Sequence, residues 1–129
     1  MTEPEFLDVD DVLALHEALL EEHGGQPGIR DRGLLESAIA MPAATFDGVF
    51  LHDGVFSMAA AYAFHIAENQ PFVDGNKRAA IGAALVFLDI NGVNVPEATE
   101  ALHAAMIDLA ARRLDKAGLA ALLERLALP

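Results

Sequence analysis

The chain has 129 residues with 20 acidic and 8 basic side chains, a formal net charge of −12, so too few cations are present for a sequence-general nucleic-acid surface. Hydrophobic residues make up 53% and charged ones 22%, the balance of one folded domain with a core of its own rather than a disordered chain. The absence of Cys excludes disulfides and thiolate metal sites and permits a reducing cytoplasm; the acidic start MTEPEFLDVDD lacks the features of a secretory signal, and the longest uncharged apolar run, Ala79–Leu88, is too short to span a bilayer.

In chain order the pattern is helical nearly throughout. Asp8 is placed to cap a first helix over VDDVLALHEALLEEH, where Val12, Leu15, Leu19 and Leu20 keep the helical spacing and Gly24-Gly25 ends it. QPGIR reads as a turn. Asp31 caps a second helix, RGLLESAIAM, stopped by Pro42. Residues 43–53 read as a loop, and a third helix is expected over Val55–Glu68, with Pro71 beyond it. A fourth runs from about Asn76 to Ile90, ended by Asn91-Gly92, and is apolar enough to be the buried central helix. VNV, residues 93–95, suits a short extended piece. Two further helices are expected near Glu97–Arg113 and Lys116–Leu126, the last capped by Asp115. Met41, Met58 and Met106 read as core filler. The expectation is a single all-α domain over residues 1–129, about six helices around a buried central one.

QPFVDGNKRAA, residues 70–80, departs from ordinary helix packing. Lys77 and Arg78 stand at a helix N-terminus, where cations are disfavoured unless an anion binds. Free N–H groups, the permissive Gly75 and the cation pair compose a phosphate cradle. Asn76 is suited to cap the helix or orient a ligand, and Asp74 to hold Mg²⁺. The competing reading leaves Lys77 and Arg78 solvated and paired with some of the many acids, and four letters alone do not decide between the two.

QPFVDGNKR resembles the Fic/Doc superfamily signature of His-Pro-Phe, two residues, Gly-Asn, then Gly-Arg or Lys-Arg. The similarity extends to LALHEALLEEHGGQPGIRDRGLLESAIA (13–40) and LVFLDINGVNV (85–95) and points to the death-on-curing branch of toxin–antitoxin systems. The resemblance implies a Fic-type helical bundle whose active loop lies at the N-terminus of the central helix. It also implies a kinase-like transfer of phosphate from ATP–Mg²⁺ to a hydroxyl of a translation protein of the elongation factor Tu type. Lys77 stands where the AMP-transferring motif has its second glycine, and Ile81 where that motif has its second arginine. By the family pattern Phe72 anchors the loop, Asp74 binds Mg²⁺, and Gly75, Asn76, Lys77 and Arg78 hold phosphates.

The departure is Gln70, where the family has the His that activates the target hydroxyl. A carboxamide cannot take a proton, so catalysis is expected to be impaired. Gln70 is either the native residue of a degenerate member or a change that silences a toxic activity. The alternatives are a catalytically degenerate binding module and an AMP transferase. No other His reads as a substitute. His65 and His16 suit packed or groove positions, His23 a helix C-terminus, His52 a loop, and His103 a solvated or half-buried site, without zinc-type HExxH spacing. Asp31 reads as a cap, with Arg30 and Arg32 solvated. No self-inhibitory helix is found. Control is therefore expected in trans, from a cognate antitoxin whose C-terminal segment folds as a helix on this chain. Direct nucleic-acid and membrane contacts are not expected, and the cytoplasm is the expected location.

Overall fold

Aspartate caps start three of the helices as the sequence predicts. The structure, a computed structural model, describes residues 3–96 and 99–127. Asp8 accepts from the Asp11 N–H and Asp11 accepts from the Asp8 N–H, both at 2.9 Å, a reciprocal box that opens α1 (Val9–His23). Asp31 Oδ1 accepts from the Leu34 N–H at 2.9 Å and opens α2 (Arg32–Ala40). Pro42 follows in a 3-10 turn, Met41–Ala43. Next come β1 (Thr45–Phe46), β2 (Val49–Phe50), α3 (Gly54–Asn69), α4 (Asn76–Ile90) and α5 (Thr99–Ala110). The last helix is α6 (Lys116–Leu126), where Asp115 accepts from the Gly118 N–H at 2.8 Å.

Three expectations need correction or limits. Residues 43–53 are not a plain loop: β1 and β2 pair antiparallel, with Thr45 opposite Phe50 and Phe46 opposite Val49. Asp47 and Gly48 have φ of 51° and 77°, the paired positive values of a type I′ hairpin turn. The fifth helix ends at Ala110 rather than Arg113, because Arg112 enters the left-handed region at φ 61°; its expected start at Glu97 lies outside the described residues. Val93 and Val95 pack on the core without belonging to a strand.

The centre is a helix pair. α4 buries Ala79, Ala80, Ala83, Ala84, Phe87 and Leu88, as its apolar sequence implies. α3 is equally buried, through Met58–Ala63 and Ile66, and it also packs on α2, α5 and α6. Small alanines on both helices let the two backbones approach closely. On another face of α4, Gly82 makes room for α1: an added Cβ would lie 3.1 Å from Leu15 Cδ2. The N-terminal segment is pinned to this pair. Tyr62 Oη accepts from the Leu7 N–H at 2.8 Å, and burial pushes its phenol up to about 12. Asn91 exchanges two bonds with the Glu5 backbone, at 2.8 and 2.9 Å. No helix among the described residues is long and apolar enough to cross a membrane.

One polar cluster ties α6 to the rest. Lys116 Nζ lies 3.1 Å from both His52 Nε2 and His65 Nε2, and 5.4 Å from the Phe64 ring centroid. The ammonium can donate only to unprotonated ring nitrogens. Burial, then Lys116, then His52, pull His65 down to about 4. Burial and Lys116 also lower His52, against a small opposing effect of the Met41 carbonyl. His52 Nδ1 itself is buried without a partner in bonding geometry. Both imidazoles are therefore neutral when folded and regain their ordinary value of 6.5 on unfolding. Below that value the unfolded chain binds more protons, so stability from this cluster is full above pH 6.5 and drains as pH falls toward about 4. Urea midpoints measured across that window are expected to fall with pH, and His65→Gln is expected to flatten the slope.

Candidate active site

Residues 70–75 link α3 to α4 without a regular element of their own, so their backbone groups must be satisfied from outside. The α1–α2 connector supplies the partners in antiparallel order. The Gln26 N–H donates to Asp74 Oδ2 at 3.0 Å, and the Val73 N–H donates to the Gly28 carbonyl at 3.0 Å. The N–H groups of Arg30 and Asp31 donate to the Pro71 carbonyl at 2.7 and 3.1 Å. QPGIR is thus more than a turn; Ile29 bridges Phe72 within this short ribbon. Gly25 lets the connector approach, since at its φ of +124° a Cβ would stand 2.9 Å from Asp74 Oδ2.

Arg30 corrects the reading of a solvated arginine. Its Nε donates to the Gln70 carbonyl at 2.7 Å and its Nη2 to the Asn69 carbonyl at 2.8 Å, clamping the end of α3. Asp31 caps α2 as expected, and Arg32 makes an exposed pair with Glu36 at 3.5 Å.

From the inner side, the Asn76 amide closes the loop. Its Nδ2 donates to the Phe72 carbonyl and its Oδ1 accepts from the Phe72 N–H, both at 3.0 Å. Phe72 is 1% exposed and stacks on His16 with ring centroids 3.7 Å apart and planes 6° apart. His16 is packed and hydrogen-bonded, its Nε2 lying 2.8 Å from the Asp74 carbonyl oxygen.

The consequence is a helix start without a side-chain cap. Gly75, at φ 78°, occupies the cap position of α4, and no side chain bonds there. The first backbone bond of α4 runs from the Ala79 N–H to the Gly75 carbonyl at 2.9 Å. The N–H groups of Asn76, Lys77 and Arg78 therefore have no intrahelical acceptor. Lys77 and Arg78 are exposed and form no ion pair among the described residues.

These groups face a groove of about 410 Å³. Gln70, Asp74, Gly75, Asn76, Lys77 and Arg78 line it, so the sequence-predicted residues are brought together, with Phe72 buried beneath them. α5 contributes His103, Met106 and Ala110 to the same lining. His103 is exposed, as a solvated residue should be, but its place in this lining was not legible in the sequence. Gln70 itself caps α3 in the left-handed region, at φ 46° and ψ 57°.

Among the described residues Asp74 is the single carboxylate on the groove. The Gln26 and Gly75 N–H donors hold its carboxyl below the usual carboxylate range, with Arg78 and His16 adding to the effect. Each oxygen accepts one N–H and keeps a lone pair. Among the described residues no three His, Asp or Glu side chains converge as a cage. The donor set fits Mg²⁺, which is commonly held by one carboxylate together with phosphates.

The sequence model described as the Fic/DOC family matches residues 6–88. The chain belongs to that family. The matched stretch includes α1 to α3, the loop and nearly all of α4, and ends before α5. The chain is 44% identical over 91 residues to "Toxin Doc" of Mycolicibacterium smegmatis, covering 70% of this chain and 68% of that protein. It is 36% identical over 91 residues to "Protein kinase doc" of Escherichia phage P1, covering 70% and 71%.

Asn76→Ala leaves the Phe72 N–H and carbonyl without partners while most of α4 keeps its packing. It is expected to cost about 1–3 kcal/mol in denaturant unfolding and to speed hydrogen exchange at the Phe72 amide well beyond that of Ala80.

Proposed function

We propose that this chain is a Doc-like toxin of a toxin–antitoxin pair, built to move the γ-phosphate of ATP to a hydroxyl of a translation protein of the elongation factor Tu type. Gln70 leaves that transfer impaired. The observation that carries the reading is the uncapped start of α4, with two unpaired cations facing a groove, in a chain related to a protein named a kinase.

Phosphoryl transfer is catalysed mainly by positioning and charge stabilisation. A bond forms between the hydroxyl oxygen and phosphorus, the bond to ADP breaks, and the hydroxyl proton must leave. The N–H groups of Asn76, Lys77 and Arg78 and the two cationic side chains hold the phosphates in a preset positive field. Asp74 would hold Mg²⁺, whose charge would offset that of the phosphates. Gln70 can donate or accept a hydrogen bond to the incoming hydroxyl but cannot accept its proton. That function is typically worth 10²–10⁴-fold. Ile81 is half-buried against the core, so no cation stands there for the AMP-transferring chemistry. Control by a C-terminal helical segment of an antitoxin follows from the toxin reading, and a translation factor as target implies work in the cytoplasm.

Gln70 also supports a second reading, a binding module that holds nucleotide or antitoxin without chemistry. A paired assay separates them. This chain and its Gln70→His version are incubated with Mg²⁺, elongation factor Tu, and ATP labelled on the γ- or α-phosphate. The expected result is γ-label on the target with the His version, at a rate higher by roughly 10²–10⁴-fold than with Gln70. Persistent nucleotide binding with no label in either case supports the binding module. Label from the α-phosphate overturns the kinase reading.

A further inference from the structure

The groove is lined from two parts of the chain, and only one of them belongs to the family-matched residues. The other is α5, beyond residue 88. On it, His103 is the one imidazole lining the groove, and it has no hydrogen-bond partner or ion pair among the described residues. Its neighbours there, Met106 and Ala110, offer an occupant no polar atoms from their side chains.

We propose that His103 is a groove-lining contact for the bound polyphosphate, a third cationic group added from α5 to Lys77 and Arg78. The proposal rests on reading the groove as a polyphosphate site and adds a residue from α5 to it. Two arguments support it. First, the cradle supplies its N–H groups and cations from the start of α4 only. A chain of phosphates carries charged oxygens on every side, and those turned toward α5 meet His103 as the sole side chain there able to carry positive charge. Second, histidine is the side chain whose charge changes near neutrality, and an adjacent anion favours its protonated form. The bound phosphates would draw a proton onto His103, and binding and protonation would favour each other reciprocally. Among the described residues the other charged groups lining the cavity are Asp74, Lys77 and Arg78. All three are charged throughout the neutral range by their residue type, so they supply a fixed background. On its own helix, Glu100 lies one turn before His103.

The test uses inorganic tripolyphosphate and, separately, ATP, each without Mg²⁺ and followed by calorimetry at about pH 6 and about pH 8. The proteins are this chain, His103→Gln and Lys77→Ala/Arg78→Ala. This chain is expected to bind tripolyphosphate roughly three- to tenfold more tightly relative to His103→Gln at the lower pH, with the two converging at the higher pH. The ratio between variants cancels the ligand's own titration. In parallel, the His103 ring resonances are expected to titrate at higher pH once tripolyphosphate is bound, while those of His23 stay in place. Binding by this chain that His103→Gln matches at both pH values, with an unmoved His103 titration, overturns the His103 contact and leaves the cradle standing. Binding that also survives Lys77→Ala/Arg78→Ala, or no binding of either ligand by this chain, overturns the cradle reading and this proposal with it. ATP binding without tripolyphosphate binding assigns recognition to the nucleoside and also overturns the proposal.

Discussion

The two hydrogen bonds between the Asn76 amide and the Phe72 backbone govern the site. They make the loop and the first turn of α4 a single closed unit. With its amide engaged, Asn76 leaves the helix start uncapped, and the free N–H groups become available to a ligand. The same pair holds the Phe72 ring against His16, and His16 in turn holds the Asp74 carbonyl. The other end of α4 repeats the device: Asn91 bonds the Glu5 backbone and the Phe87 carbonyl. The buried helix is thus stapled at both ends by asparagine amides, one serving the site and one serving the fold.

Electrostatics then divides the molecule. The chain as a whole is strongly acidic, yet its groove gathers a helix start and two cations without a pairing carboxylate among the described residues. Asp74 is the exception, and its two N–H donors hold it ionised. A local positive field inside a negative surface favours a small anion over an extended polyanion, since the surrounding acids repel the latter. The α6 cluster shows the opposite use of a cation, with Lys116 half-enclosed by neutral imidazoles.

Much of this was legible in the sequence because its causes are local. Aspartates before helical spacing mark three helix starts, and Pro71 with Gly75 marks the break before α4. The loop residues, contiguous from Gln70 to Arg78, carry their own signature. The hairpin is also written locally, in Asp47-Gly48 between Phe46 and Val49. What could not be read has its cause in the tertiary fold. Arg30 clamps carbonyls 39 and 40 residues away. His103 reaches the groove only because α5 folds across it. Lys116 meets His52 and His65 from a different helix, and no spacing rule connects the three.

Gln70 holds a backbone shape that a non-glycine residue rarely adopts, at a cost on the order of 1 kcal/mol or more. That shape is enforced from outside the side chain, by the Ile66 carbonyl on its N–H and by Arg30 on its carbonyl. Among the described residues the Gln70 side chain itself makes no hydrogen bond, so the shape does not rest on its carboxamide. Histidine and glutamine codons differ only in their third base, so a single nucleotide change separates a side chain that can take a proton from one that cannot, on a backbone whose shape is held by other residues.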